Sequence, residues 1–274
     1  CHYCGYSVPF TEECPNCHEK QVRYSGLGTQ RAEQELRELF PNARVLRMDA
    51  DTTMSKFSHE KKLKEFSDGK YDIMIGTQMV AKGLDFANVT LVGVLSADQS
   101  LYSDDFRSYE RTFALLTQVV GRSGRGKEKG AALIQTFTPE NPIIRLAAKQ
   151  DYDGFYVSEI AMRKALLYPP FADICVIGFV GSNEKKTQQA AKAFLFLFKE
   201  LVSEAFKDLP LRVLGPSPAS IVKVSNKYRY KLIIKFRNSG KFRQMMSKLL
   251  IDFGKDRNYA KTTVFVDVNP DVIL

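Results

Sequence analysis

Arg122 and Arg125 stand three residues apart in the glycine-rich stretch QVVGRSGRG, which opens at Gln118. The intervening glycines remove side-chain bulk, so two guanidinium forks can converge on one anion. An arginine finger reaches a transferring phosphoryl group in this way; the same composition also suits a solvated basic turn. Upstream, the apolar run Tyr71–Gly76 feeds into Thr77, Gln78 and the AKGLDF segment at Ala81–Phe86. Junctions of strand and loop are where open α/β sheets hold ligands. There Thr77 could donate to a phosphate, Lys82 supplies charge, Gly83 permits close backbone approach, and Asp85 could accept from a ribose hydroxyl.

Four of the five cysteines form two Cys-x-x-Cys pairs, Cys1 with Cys4 and Cys14 with Cys17. Gly5 and Pro15-Asn16 supply the tight turns that let paired thiolates face one zinc ion, and a single four-Cys ribbon is the plain inference from spacing. His2 and His18 adjoin the pairs, as exposed neighbours or substitute ligands. Cys175 falls in an apolar run and reads as core filler. A further pattern, Gly121 through Gly126-Lys127, imitates a phosphate loop, but Glu128 stands where Ser or Thr must bind magnesium and a helix precedes it. With no phosphate loop and no acidic DEAH-like box, this chain alone is expected to lack ATP turnover.

The elements that must position these groups alternate. Helices are expected over Thr29–Phe40, with Thr29 as cap, from Ser55 or Phe57 to a stop at Gly69, over Phe106–Val120 and over Pro142–Gln150. Phe106, Tyr109, Phe113, Leu116 and Val120 recur at helical spacing in the third. Strands are expected at Ala43–Asp49, Tyr71–Gly76, Val89–Ala97 and Ala131–Phe137. This βαβα order predicts a mostly parallel sheet covered on both faces. Asp49-Ala50-Asp51-Thr52-Thr53 ends the first strand, where it could touch ligand or cap a helix. Residues 151–170 read as a helical linker. Beyond it, strands at Phe171–Gly181, Leu211–Leu214, Ile221–Val224, Tyr228–Phe236 and Thr263–Val268, with helices Lys185–Phe206 and Lys241–Phe253, predict an α+β domain.

Composition narrows the function. Residues 1–170 hold 22 basic and 22 acidic side chains, whereas 171–274 hold 18 and 9, so the whole net charge of +9 is C-terminal. No acid interrupts the ten bases between Asp208 and Asp252. That is a footprint for polyanion binding. Along β-strand Tyr228–Arg237, Tyr228, Tyr230, Leu232, Ile234 and Phe236 share one face and Arg229, Lys231, Lys235 and Arg237 the other. The basic face is read as a phosphate-contacting surface, with Lys223 and Lys227 beside it. No apolar run approaches the ~18 residues of a membrane helix, and the N-terminus has no signal-peptide character.

GTQMVAKGLDF and QVVGRSGRG, in this order, resemble motifs V and VI of the superfamily 2 helicases. ADQSLYSDDFRSYER, DADTT at Asp49–Thr53, YPPF at Tyr168–Phe171 and VLGPSPASIVK at Val213–Lys223 make the chain similar to the primosomal replication-restart helicases. This resemblance covers essentially the whole chain. It implies a partial zinc module over 1–24, a second RecA-like helicase lobe over 25–150, and a C-terminal DNA-binding α+β domain over 171–274. It implies Arg122, Arg125 and Gln118 as catalytic residues, and Thr77, Lys82, Gly83 and Asp85 as nucleotide-binding. Asp98, Asp104, Arg107 and Arg111 would couple DNA contact to that site. ATP and Mg²⁺ would serve the full-length enzyme. It implies eight cysteines pairing in interleaved fashion on two zincs, so that Cys1 and Cys4 belong to one site and Cys14 and Cys17 to the other, each incomplete. Partners would be branched and single-stranded DNA, primosome components and single-strand-binding protein, in a cytoplasmic, nucleoid-associated bacterial setting.

Overall fold

The computed structural model describes residues 11–14, 17–20, 28–49, 56–77, 86, 88–103, 105–121 and 130–273. Among these, 11–103 and 107–159 form one compact unit, and 105, 106 and 160–273 the other.

In the first unit, helix α1 (Thr29–Leu39) lies against strands β1 (Val45–Met48) and β2 (Ile73–Gly76). The strands pair in parallel, Val45 with Ile73 through Met48 with Gly76, and helix α2 (Lys56–Ser67) supplies the crossover that a parallel pair requires. Strands β3 (Leu91–Val94) and β4 (Ala131–Ile134) form a second parallel ladder. The described residues hold these as two separate ladders; the segment 78–85 between them lies outside the described residues. The β3–β4 crossover contains a one-turn helix α3 (Asp98–Leu101), which the sequence pattern did not predict, and helix α4 (Ser108–Val120). Thr112, Phe113 and Leu116 bury one stripe of α4 against Ala97, Leu101, Ile143, Ile144 and Ala147. Phe155 stacks on Phe113 with ring centroids 4.1 Å apart. Helix α5 (Pro142–Ala148) starts as its sequence dictates: the Asn141 side chain accepts from the Ile143 N–H and proline occupies the first turn. Helix α6 (Tyr152–Leu166) is continuous, and the unit boundary falls inside it, after Glu159.

Two expectations are corrected here. Gly28, not Thr29, is the N-cap of α1, and the Thr29 hydroxyl instead donates to Asp49 Oδ2 at 2.6 Å; a buried carboxylate is the stronger acceptor. Phe106 does not continue the buried stripe of α4, which begins at Ser108. It belongs to the second unit, stacked on Tyr168 at 4.7 Å and 4°.

The second unit is a four-stranded antiparallel sheet of order β6-β7-β5-β8, with β5 (Asp173–Gly181), β6 (Arg212–Val224), β7 (Lys227–Phe236) and β8 (Thr263–Val268). Helices α7 (Glu184–Ala205) and α8 (Gly240–Gly254) cover one face. Asn183 and Ser239 cap them by accepting from the Lys186 and Phe242 N–H groups. The buried stripes Thr187, Ala190, Ala191, Phe194, Phe198, Leu201 and Phe242, Met245, Met246, Leu249, Phe253 follow the 3.6-residue period. They meet Cys175, Ile177 and Phe179 of β5 and Tyr230, Leu232, Ile234 and Phe236 of β7. Burial pushes the Cys175 thiol up to about 12, with the Asp267 carboxylate adding to the effect, so it stays protonated in the core.

The two short strands expected at 211–214 and 221–224 are ends of one irregular strand, β6, whose register shifts between Leu214 and Ser217 and again between Pro218 and Lys223. Its prolines are tolerated because β6 is an edge strand. Gly215 is required there: its φ is +98° and an added Cβ would sit 3.0 Å from the Lys231 carbonyl oxygen. Ser225 and Asn226, both at positive φ, make the two-residue turn into β7.

Candidate nucleotide and nucleic-acid sites

Of the proposed nucleotide site, Thr77 and Gln118 are described. Thr77 is exposed immediately beyond the carboxyl end of β2, and Gln118 is half-buried in the last turn of α4. Lys82, Gly83, Asp85, Arg122 and Arg125 lie outside the described residues. What the structure supplies is the mounting. Helix α4 is held by Phe113, Leu116 and the ring of Phe155, and it ends at Gly121, one residue before Arg122.

Asp49, the first residue of the DADTT run, is buried at the end of β1. It takes the Thr29 hydroxyl and an ion pair from Arg47 Nε at 3.0 Å, and Arg47 Nη1 also reaches Glu33 Oε2 at 3.1 Å. Ala50–Thr53 lie outside the described residues. Asp98 is a clasp: it accepts from the Thr136 hydroxyl at 2.9 Å, the Phe137 N–H at 3.1 Å and the Thr138 hydroxyl at 3.2 Å. Burial alone would raise its pKa, but these donors outweigh burial and hold it below the ordinary carboxylate value. The clasp ties α3 to the end of β4, a role that alternation of apolar residues gave no means of finding.

Of the four cysteines proposed as zinc ligands, Cys14 and Cys17 are described, and Cys1 and Cys4 are not. The turn closes by a bond from the His18 N–H to the Cys14 carbonyl at 2.8 Å, and the His18 ring contacts Glu13 at 2.9 Å. Among the described residues no three metal-ligating side chains gather. This pair offers two of the four thiolates a structural zinc takes.

The basic strand departs most from expectation. The register places Arg229, Lys231, Ile233 and Lys235 on the sheet face opposite the helices, as alternation predicts. That face is partly covered, however: Lys231 and Lys235 are each only 6% exposed. Lys235 Nζ donates to the Leu166 carbonyl at 2.7 Å and lies 3.5 Å from the centre of the Tyr168 ring. Tyr168, Phe106 and Ile273 pack there on Ile174, Val176 and Ile233. Lys231 Nζ donates to Ser220 Oγ at 3.4 Å. Lys231 and Lys235 are therefore withdrawn as surface phosphate contacts. Lys223, Lys227 and Arg229 remain, gathered at the β6–β7 hairpin, with Arg237 exposed at the far end of β7. Lys223 Nζ sits 5.0 Å from the ring of the half-buried Tyr228, while Tyr230 is in the core.

Burial, with Arg212 beside it, lowers the Lys235 pKa below 10.5. The unfolded chain then holds this proton over a window just below 10.5 in which the folded chain has released it, so stability rises with pH across that window. Urea unfolding of the parent and of Lys235→Met should show the parent gaining on the variant as pH climbs from 7 toward 10. A difference that stays flat with pH would remove the buried-cation assignment.

Residues 18–127 match the helicase conserved C-terminal domain, and residues 164–271 match the primosomal protein N C-terminal domain. The class is thus a helicase C-terminal lobe, of mixed α and β structure, followed by a primosomal C-terminal domain. Over its length the chain is 41% identical to the replication restart protein PriA of Bacillus subtilis, covering 100% of this chain and 33% of that one. Identity is 36% to PriA of Synechocystis, covering 99% and 31%, and 36% to PriA of Treponema pallidum, covering 100% and 40%. The chain belongs to the PriA family, and it spans about a third of the length of the Bacillus and Synechocystis relatives. Among the described residues no helix is long and apolar enough to cross a membrane.

Proposed function

We propose that the chain serves a replication-restart DNA helicase as its second motor lobe and a DNA-binding domain. In the full-length enzyme it would couple ATP hydrolysis to 3′-to-5′ movement, act at stalled or D-loop forks and take part in primosome assembly. The observation that carries this reading is the pairing, in one chain, of a helicase C-terminal lobe with the primosomal C-terminal domain. Thr77, Lys82, Gly83 and Asp85 would bind nucleotide from the lobe, and Arg122, Arg125 and Gln118 would serve as the catalytic residues at its γ-phosphate. One parallel sheet would unite the two described ladders of the lobe. ATP with Mg²⁺ supplies the chemistry when bound, and zinc on Cys1, Cys4, Cys14 and Cys17 would brace the module ahead of the lobe. The full-length protein should hydrolyse ATP in a DNA-stimulated manner and unwind a fork bearing a 3′-ended single strand, whereas the 274-residue chain should do neither. Unwinding only from a 5′-ended strand, or vigorous hydrolysis by the chain alone, would refute the assignment.

DNA affinity follows from charge. If Lys223, Lys227, Arg229 and Arg237 each neutralise a phosphate, log affinity falls with log salt by about 0.7 to 0.9 per contact, a slope near −3. Lys227→Glu combined with Arg229→Glu should weaken binding at least about tenfold and flatten the slope by about 1.5. The core should not notice, since both side chains lie away from α7 and α8. Titrations of a fluorescent oligonucleotide at several salt concentrations decide the point, and an unchanged slope would move the DNA site elsewhere.

A further inference from the structure

Among the described residues one end of the helix-free face of the second unit is uncovered, and the ring of Phe265 there is placed unusually. Phe265 of β8 pairs with Gly178 of β5, and Gly178 pairs in turn with Lys231 of β7. A Cβ on Gly178 would lie 2.1 Å from Phe265 Cζ, so the half-buried ring reclines across the glycine with part of its surface open, instead of standing off the sheet. Only glycine leaves it that room. Phe265 shares a shallow depression with Val180, Ala219, Arg229 and Lys231. Arg229 is two strands across and two residues along from Phe265, about 12 Å between backbones at ordinary sheet spacings. Lys261, Lys223 and Lys227 are at the same end of the sheet, and each is at least partly exposed. At the opposite side of the ring stands Asp267, exposed on the same face.

We infer that Phe265 is a stacking platform for a base of single-stranded DNA, with the strand's phosphates running from the ring toward Arg229 and the β6–β7 hairpin and away from Asp267. The inference rests on the DNA-binding reading above and names the part of the surface that takes the base. An aromatic face accepts any base, and alanine substitution at such a platform weakens binding about fivefold or more per base. Cations set the path of the backbone, and the Asp267 carboxylate at the other side gives that path a direction. The glycine beneath the ring leaves it room to hold that orientation, and the cations beside it fit a polyanion.

The chain contains no tryptophan, so Phe265→Trp installs a single indole reporter at the platform. Oligo(dT) should quench its emission, while an abasic sugar–phosphate strand of equal length should bind through the cations and leave the emission nearly unchanged. Phe265→Ala should lose affinity for oligo(dT) at least about tenfold, with the salt slope intact. Phe265→Leu keeps an apolar cover on Gly178 and so guards against misreading a folding defect: it should unfold in urea near the parent midpoint yet bind as weakly as the alanine variant. Indole emission that ignores saturating oligo(dT), or alanine and leucine variants that bind as the parent does, would overturn the inference and leave the phosphate contacts standing. Failure of the unaltered chain to bind oligo(dT) at all would overturn it together with the DNA-binding reading beneath it.

Discussion

Replacing Arg122 or Arg125 by alanine in the full-length enzyme should lower DNA-stimulated ATP hydrolysis about 10³-fold or more while leaving DNA affinity within about twofold, because a cation that meets only the transferring phosphoryl group contributes chiefly in the transition state. Delivery of those side chains depends on α4, whose Thr112, Phe113 and Leu116 are buried and whose last residue is Val120. Steady-state hydrolysis and oligonucleotide binding, measured on the same preparations, separate the two roles. A variant whose DNA affinity drops in step with its turnover would assign the pair to the DNA path.

Phe194→Ala should destabilise the second unit by about 4 kcal/mol. Phe194 is fully buried on α7, edge-to-face with Phe179 at 5.4 Å and with Phe253 at 5.2 Å, so it joins β5, α7 and α8 through one ring. Truncation removes the apolar transfer energy and leaves a cavity bounded by sheet and two helices that cannot collapse together. Urea unfolding of this unit should show a large drop in midpoint at constant denaturant slope. A loss below about 1.5 kcal/mol would mean that the neighbouring rings close the gap and the core is looser than it looks.

Much of this architecture is legible in the sequence because its elements are amphipathic. The stripe Thr187–Leu201 announces α7, and the continuous run Ile174–Phe179 announces a strand buried on both faces. What stayed hidden shares a physical cause. Alternation along β7 correctly assigns Lys231 and Lys235 to one face of the strand, but it says nothing of whether that face is covered. The cover over Lys235 comes from Tyr168, Phe106 and Ile273, brought from three distant places in the chain. The Thr29–Asp49 and Asp98–Thr136 bonds likewise span 20 and 38 residues, and local pattern carries no signal for them. Helix α3 is a single turn, too short for any period to register. In the proposed nucleotide site, motif spacing nominates the residues, while the structure contributes the helix that precedes two of them.

The few residues around Phe106 have a bearing on inheritance. Phe106 stacks on Tyr168, Arg163 lies 5.3 Å from its ring, and the Ile273 N–H donates to the Asp105 carboxylate. The second unit is thus discontinuous in sequence, completed by a short segment encoded upstream between Ser103 and Arg107. A cassette cut from residue 160 onward would leave Tyr168, Ile174 and Val176 short of an aromatic neighbour and expose an apolar surface. A single crossover between Arg107 and Ile160 therefore splits this unit, whereas one upstream of Ser103 passes the short segment and the C-terminal domain on together.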